Sequence, residues 1–574
     1  MRASSAPTAA APIEARSRIA QRRERLAKLA LHATLVVGCV VFSFPFYWLL
    51  STSVKEREEI QRDPPVWVPA LPHSATASPF IEAGQYAEPR VPEGVPRPQF
   101  SAFWPAVERG LWQWVEANHP EVPARFPMGQ VRGPLVNVLW DGLQAGTPPD
   151  TWRLSRDGIA AKVTGALKED DFQRAWYQVY RSFGFRELVV EDTGFVRHRL
   201  PRDFDQLGAW KPVDGRVDVH LLAGDAKPAL EAAYSFEGGD SVSLQLEAPV
   251  DVASGDFRGV VLPVRHDHSW SSLWLTVEIG PRRLQATEPL VLTDRAWLDA
   301  TFRLPAEHAL GFEVHDFVEL KDAGSADLPE GRLRVTARLD QNSALGAVRA
   351  KCARNYQDAL RYVPFWAYLG NTVFVVVLSI AGQLFSCSLI AFSFARLRWP
   401  LRDQCFAVLL ATMMLPGQVT MVPQFLIFKY LGWYNTLYPL WLPSFFGSAF
   451  FIFMLRQFMK GIPNDLEDAA KIDGCSYFMI YWKIMLPLIK PALAAIAIFT
   501  FMGAWNNFMG PLIYVSDQRL YPLALGLFQF RSEHGADFGM LMAASALMTL
   551  PVVAIFFAAQ RYFIQGVTLT GIKG

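Results

Sequence analysis

The chain has 574 residues, 51% of them hydrophobic and 19% charged. That is more than one ordinary core accounts for, so membrane and soluble parts are both expected. The net charge is +1, and no nucleic-acid partner is read from it.

Apolar runs long enough for a hydrocarbon core of about 30 Å, which takes roughly 20 helical residues, fall at about 31–53, 366–394, 404–428, 437–459, 491–515 and 540–563. The sequence therefore predicts an all-α membrane protein of six transmembrane helices, carrying a large insertion after the first. Residues 1–30 form a basic N-terminus, with Arg16, Arg18, Arg22, Arg23, Arg25 and Lys28 ahead of the first span at 31–54. No small-residue cleavage site follows that span, since Pro45-Phe46-Tyr47-Trp48 stands there instead, and a retained anchor is predicted.

Arg396, Arg398 and Arg402 follow the second run, Arg456, Lys460, Lys471, Lys483 and Lys490 the fourth, and Arg561 and Lys573 the sixth. These all lie on one side if both termini are cytoplasmic, as expected when basic loops stay inside. The segment 55–361 has 35 Lys and Arg against 44 Asp and Glu, a net of −9, which leaves +10 for the rest. The insertion is accordingly placed outside the cytoplasm. Only Cys352 of the five cysteines falls there, so no external disulfide within the chain is expected.

The insertion opens with a proline-crowded stretch, 55–100, read as an extended linker. An α+β domain follows. Its part 101–212 is read as helical, with Asp171 capping a helix in which Phe172, Trp176, Val179, Tyr180 and Phe183 recur at helical spacing. In 213–345 the period becomes two: Val242, Leu244 and Leu246, then Leu273, Leu275, Val277 and Ile279, then Leu333, Val335, Ala337 and Leu339 alternate with polar residues. That pattern predicts a β-sandwich or jelly roll. Trp270 and Trp274 near His266-Asp267-His268 suit core packing or a sugar-stacking patch; one His-Asp-His run lacks the further ligands of a metal site, and no metal or catalytic group is assigned.

After the insertion the C-terminal core, 362–574, carries the remaining helices. Between its fourth and fifth helices, 460–490, lies a polar stretch broken by Gly474. Pro463-Asn464-Asp465 reads as a helix start with Asp465 as cap and Asp468 in a box-like position. Leu466, Ala469 and Ala470 fall on one thin face, Gly474 permits a left-handed stop, and Ser476 caps a second helix with Tyr477, Ile480, Tyr481 and Ile484 as its apolar stripe. Pro487 and Pro491 end it. The product is a short helix, a sharp turn and another short helix, with an apolar face suited either to a partner protein or to the bilayer surface.

The spacing Asp468-Ala469-Ala470, three residues, Gly474, nine residues, Ile484, one residue, Leu486-Pro487 resembles the EAA loop of ATP-binding-cassette importer permeases, with Asp468 standing for the usual glutamate and Glu467 just before it. Asn371-Thr372, Leu415-Pro416 through Val422-Pro423, Trp505-Asn506-Asn507-Phe508 with Pro511-Leu512, and the ending from Gln565-Gly566-Val567 to Gly571-Ile572-Lys573-Gly574 are similar to the second permease subunit of maltose-type carbohydrate importers. The likeness covers about 31–62 and 353–574, not 75–345. It implies a type I importer permease fold, and a coupling role for Glu467, Asp468, Ala469, Ala470, Asp473, Gly474, Ile484, Leu486 and Pro487 against a partner ATPase. It also implies that Gly571 and Lys573 touch that ATPase and that Tyr521, Phe528 and Phe530 in the loop 516–539 touch an extracytoplasmic solute-binding protein. The partners implied are a second, homologous permease chain, two ATPase subunits, that binding protein and the bilayer. Transport of a sugar or oligosaccharide is the implied function.

The residues support the same division of labour. No G-x-x-x-x-G-K-[ST] phosphate loop and no Gly-Lys pair occurs, so ATP and Mg are expected in another chain and no cofactor in this one. Pro416-Gly417 and Pro423 interrupt the third run, as where backbone lines a protein-walled path. Trp505, Asn506 and Asn507 in the fifth run, with Asn371, Gln383 and Gln418, are read either as interhelical hydrogen-bonders or as lining a sugar pathway. No ionisable group lies near the middle of a span, which disfavours ion-driven transport. A membrane-anchored glycan receptor would account for the insertion but not for the helix-turn-helix. An importer of another small solute would share the coupling loop and differ in its pathway.

Overall fold

The computed structural model describes residues 11–61, 66–72, 74–213, 215–222, 227–293, 297–305, 317–529 and 538–567, with side chains from Leu26 to Gln560 other than Gln85, Gln529 and Ala559. The chain divides into two units, one holding Met1–Ala70 and Cys352–Gly574, the other Leu71–Leu310 and His315–Lys351.

In the first unit, among the described residues, four helices are long and apolar enough to cross a membrane: Leu26–Ser53, Phe365–Arg396, Tyr438–Lys460 and Phe538–Ala558. Two bent pairs bring the number to six if each crosses once: Arg402–Thr412 with Gly417–Tyr430, bent by 100°, and Tyr477–Leu488 with Lys490–Trp505, bent by 76°. The first bend falls at Pro416-Gly417, where proline lacks the backbone donor and its ring clashes with the preceding turn, and Pro416 takes extended backbone at ψ 133°. The fifth apolar run is shorter than its composition suggests, since Lys490–Trp505 stops at Asn506 and a short helix, Met509–Tyr514, resumes after the break.

The Phe365–Arg396 helix is the hub of this unit, touching Lys490–Trp505, Ala449–Lys460 and the Leu442–Phe446 turn. Its buried side includes Ser379, Gly382, Ser386 and Ser388, small residues that allow close approach where the apolar effect gives no drive between helices. Gly382 shows why: a Cβ there would stand 2.6 Å from the Phe445 ring. Ser386 Oγ then donates to Gly382 O at 2.7 Å or to Ser444 O at 3.1 Å.

The second unit has a helical and a strand part. Helices Arg97–Asn118, Met128–Ala145, Arg156–Ala166 and Glu169–Val179 enclose a core around Phe103, Val107, Leu111, Leu135 and Trp140. Asp171 is the third residue of its helix and not the cap: its carboxylate accepts from Lys168 N at 3.0 Å, and Lys168 holds the cap position.

Strand structure begins well before residue 213, because Tyr180–Arg181, Gly184–Phe185 and Val189–Asp192 already pair. The stretch 55–100 is likewise not all linker. Ala77–Ser78 pairs with Tyr234–Ser235, and Phe80–Ile81 with Tyr180–Arg181; ladders this short leave the neighbouring prolines outside the hydrogen-bonded positions. Among the described residues the main sheet has 15 strands. Its strand Arg332–Asp340 lies between Ser241–Pro249 and Ser272–Ile279, with Leu244 and Leu275 both opposite Ala337, and Leu246 and Val277 both opposite Val335. These inward rows are all 2% exposed or less, as period-two patterning requires. On the outer face Glu247 and Glu278 both stand opposite Arg334, which bonds them at 3.2 and 2.9 Å, a favourable cross-strand set.

The His266–Ser271 turn is interior: Trp270 is 1% exposed, Tyr234 donates to Asp267 at 2.7 Å, and His268 and Trp270 take left-handed backbone at φ 58° and 59°. Among the described residues no three His, Cys, Asp or Glu side chains gather closely enough to hold a metal ion.

Candidate functional site: a helix-turn-helix moored to the membrane core

The stretch between the fourth and fifth apolar runs folds as helix Asp465–Ile472, a turn, helix Tyr477–Ile480 and a π-turn over Tyr481–Met485. The turn is set by Gly474, at φ +79°. Gly474 N donates to Lys471 O at 3.0 Å and Cys475 N to Ala470 O at 2.9 Å, the paired bonds of a Schellman stop that satisfy two otherwise orphaned carbonyls. A Cβ at Gly474 would meet nothing within 4 Å, so the demand for glycine is conformational. Ser476 then caps the second helix, its hydroxyl accepting from Met479 N at 3.3 Å. The first cap differs from expectation. Asn464 holds the cap position and Asp465 is already helical.

The faces also sort differently from the local pattern. Ala470 and Glu467 turn inward, whereas Leu466 is 46% exposed and Ala469 is exposed too. Ile480, Tyr481, Met485 and Ile489 join a core with Cys387, Ala391, Phe392, Ile452, Leu455 and Met459, with Ile484 half-buried beside it. The hydroxyls of Tyr481 and Ser388 meet at 2.8 Å. Leu486 is half-buried at the edge of this core and Pro487 is exposed.

Glu467 would be a costly buried charge if it stood alone. It faces Arg396 at the end of the Phe365–Arg396 helix, with Nε 2.9 Å from Oε1 and the two side chains 4% and 6% exposed. What remains outside is apolar and contiguous with the turn: Ile472 is 86% exposed, Phe478 70% and Trp482 58%, with Tyr477 and Met479 between them, and the Phe478 and Trp482 rings are stacked. Asp468 is exposed and takes Lys471 Nζ at 3.1 Å, a bond that holds the ammonium above its usual range. Asp473 ends the first helix at the surface.

The polar residues of the membrane runs are used locally. Trp505 is 3% exposed and donates to Met548 O at 3.2 Å. Asn506 donates to Met502 O at 2.9 Å, and Asn507 accepts from Gly510 N at 3.0 Å, starting the short helix after the break. Asn371 donates to Arg519 O at 2.8 Å and its neighbour Thr372 accepts from Leu523 N at 2.8 Å, so the pair fastens the loop carrying Tyr521. Gln383 accepts from the Cys387 thiol, and Gln418 is exposed. Tyr521 lies 6.1 Å from the Tyr368 ring, and Phe528, 48% exposed, stands 5.6 Å from Phe508. Phe530, Gly571 and Lys573 fall outside the described residues. Sequence reading missed Arg396 as a site residue. Its signal was a cation at the end of an apolar run, one of several on that side.

A multi-pass membrane chain with a two-helix projection, moored within and apolar without, belongs to the class of transport proteins driven through a partner. Residues 387–569 match the family of binding-protein-dependent transport system inner membrane components. The arabinooligosaccharides transport system permease protein AraQ of Halalkalibacterium halodurans is 34% identical over 210 residues, 37% of this chain and 75% of that one. The lactose transport system permease protein LacG of Rhizobium radiobacter is 35% identical over 202 residues, 35% of this chain and 72% of that one. A solved bacterial ABC transporter involved in the import of the acidic polysaccharide alginate covers 36% of this chain and 79% of its own, at 24% identity and a TM-score of 0.33. The chain belongs to this inner-membrane permease family. It is an ABC importer permease subunit and no enzyme, and ATP hydrolysis resides in a separate subunit.

Proposed function

We propose that this permease subunit translocates a sugar or oligosaccharide across the bacterial inner membrane, handed over by an extracytoplasmic binding protein and driven by two ATPase subunits that hold ATP and Mg. The names of the arabinooligosaccharide and lactose relatives support the solute class. A second permease chain completes the pathway as a heterodimer, and each bent helix pair crosses once, giving six spans. Both termini lie in the cytoplasm, and the inserted domain, sandwich-like in its strand part, lies outside.

Glu467, Asp468, Ala469, Ala470, Asp473, Gly474, Ile484, Leu486 and Pro487 form the coupling loop, with Gly571 and Lys573 as a further ATPase contact. Tyr521, Phe528 and Phe530 meet the binding protein, and Asn371, Gln418, Trp505, Asn506 and Asn507 are the pathway candidates. ATP-driven closure of the ATPases draws the coupling loops of the two permeases together and switches the pathway from outside to inside access. One observation carries this reading: the helix-turn-helix leaves Ile472, Phe478 and Trp482 more than half exposed, while its other face is fixed to the membrane core. An apolar cap held on a rigid mount suits a protein partner. Ile472→Cys should crosslink to the ATPase in membranes, and vesicles holding the full transporter should accumulate labelled arabinotriose. Crosslinks to lipid alone would overturn the coupling role, and accumulation of no neutral saccharide would overturn the solute class.

A further inference from the structure

Arg396 does more than neutralise Glu467. Its Nη2 donates to Ile462 O at 2.7 Å and to Met459 O, and its Nη1 donates to Asn464 Oδ1. Met459 lies in the last turn of the Ala449–Lys460 helix, at the negative end of its dipole, and Ile462 follows two residues past its end. Asn464 and Glu467 belong to the start of the Asp465–Ile472 helix. One guanidinium at the end of Phe365–Arg396 therefore holds two further backbone segments, through hydrogen bonds from Nη1 and Nη2 and the close charge contact of Nε with Glu467. The other half of the loop is tied to the same helix through Tyr481 and Ser388. Residues 388 and 396 are two turns apart, about 12 Å along the axis, so the loop is fixed to one lever at two points.

We propose that Arg396 is the positioning residue that converts movement of the coupling loop into movement of the Phe365–Arg396 helix. This rests on the proposed function, since it takes the ATPase to be what moves the loop. The planar fork is essential to it. Lysine keeps the charge but offers one nitrogen, which cannot reach Glu467, Asn464 and the two carbonyls together.

The test uses the complete transporter, with partner permease, ATPases and binding protein, reconstituted in vesicles. A spin label at Val373, 45% exposed near the far end of the lever, reports accessibility before and after ATP is trapped with vanadate. An Ile472→Cys crosslink reports ATPase contact in parallel. Arg396→Lys should retain the crosslink while its label response falls to about a fifth of the wild-type change or less, the scale of a lost coupling energy. Asn464→Ala, which removes one arm from an exposed residue, should give an intermediate loss. A normal response in Arg396→Lys overturns the proposal, as does a normal response in Asn464→Ala should Arg396→Lys fail to assemble. A wild-type transporter that crosslinks but shows no response at Val373 overturns it as well. An absent crosslink in the wild-type background instead overturns the ATPase contact of the proposed function and the lever with it.

Discussion

The two units bury apolar residues by different rules. In the unit bounded by Leu71 and Lys351, alternation along each strand decides which side chain is interior: Leu244, Leu275, Val277 and Val335 are at most 2% exposed, and their neighbours carry the outer charge rows. In the membrane unit apolar character says little about contact. Val408 is 66% exposed, Leu426 60% and Phe557 63%, while Ser379 and Ser388 are buried at 3% and 1%. When the surroundings are as apolar as the side chains, contact is decided by small residues and by polar groups seeking partners. Water sorts the strand-bearing unit. Close packing and hydrogen bonding sort the membrane unit.

This contrast can be broken most forcefully in the strand core. Phe302 is fully buried, so Phe302→Ala should cost about 3–5 kcal/mol, read as a large fall in the unfolding temperature of the inserted domain in the full chain. The same truncation at Phe557 should leave that transition in place. Equal effects at the two sites would erase the distinction.

Acidification is the next largest probe. Burial alone would raise the Glu191 carboxyl, but Arg303, bonded through both Nε and Nη2, and Arg197 at 3.2 Å hold it below the usual range. A carboxylate with a depressed folded value stabilises the fold above its unfolded value near about 4.3 and loses that contribution as pH falls through the folded one. Denaturation of the inserted domain should therefore steepen below that pH, and Glu191→Gln should remove part of the dependence. An unchanged acid profile in that variant would refute the assignment.

At Gly474 the effect is conformational. A side chain in the left-handed region costs about 1–2 kcal/mol, and the turn orients both helices of the proposed coupling loop, so Gly474→Asp should abolish uptake while solute capture by the binding protein persists. Gly474→Asn, with a residue more tolerant of that region, should retain more uptake; full uptake in the aspartate variant would contradict the coupling role. The smallest effect belongs to Ser476→Ala, which removes one cap worth about 1 kcal/mol. It should loosen the Tyr477–Ile480 helix, seen as faster amide exchange there and little change elsewhere.

Much of the coupling loop was legible in the sequence because its determinants are local. The lone Gly474, the cap at Ser476 and the flanking prolines each act within a few residues. Which face of Asp465–Ile472 turns inward was not legible. Leu466, Ala469 and Ala470 form the obvious apolar set, yet Glu467 goes in with Ala470, because Arg396, 68 positions from Asn464, supplies the counter-charge. The break at Asn506 was hidden for a related reason. The Asn506-Asn507 pair marks it in the sequence but reads equally as a hydrogen-bonding pair within a continuous helix, whereas the bond from Gly510 N to Asn507 belongs to the start of a new one.

The thiol of Cys475 follows the Schellman glycine and lies half-buried at the rim of the loop's core. Cys387 is buried, whereas Cys39, Cys352 and Cys405 are exposed and replaceable by serine. The protein thus carries a native optical handle at the turn of the proposed coupling loop: a maleimide dye placed there would report arrival and departure of the proposed partner as a change in emission, with no foreign residue introduced into the loop.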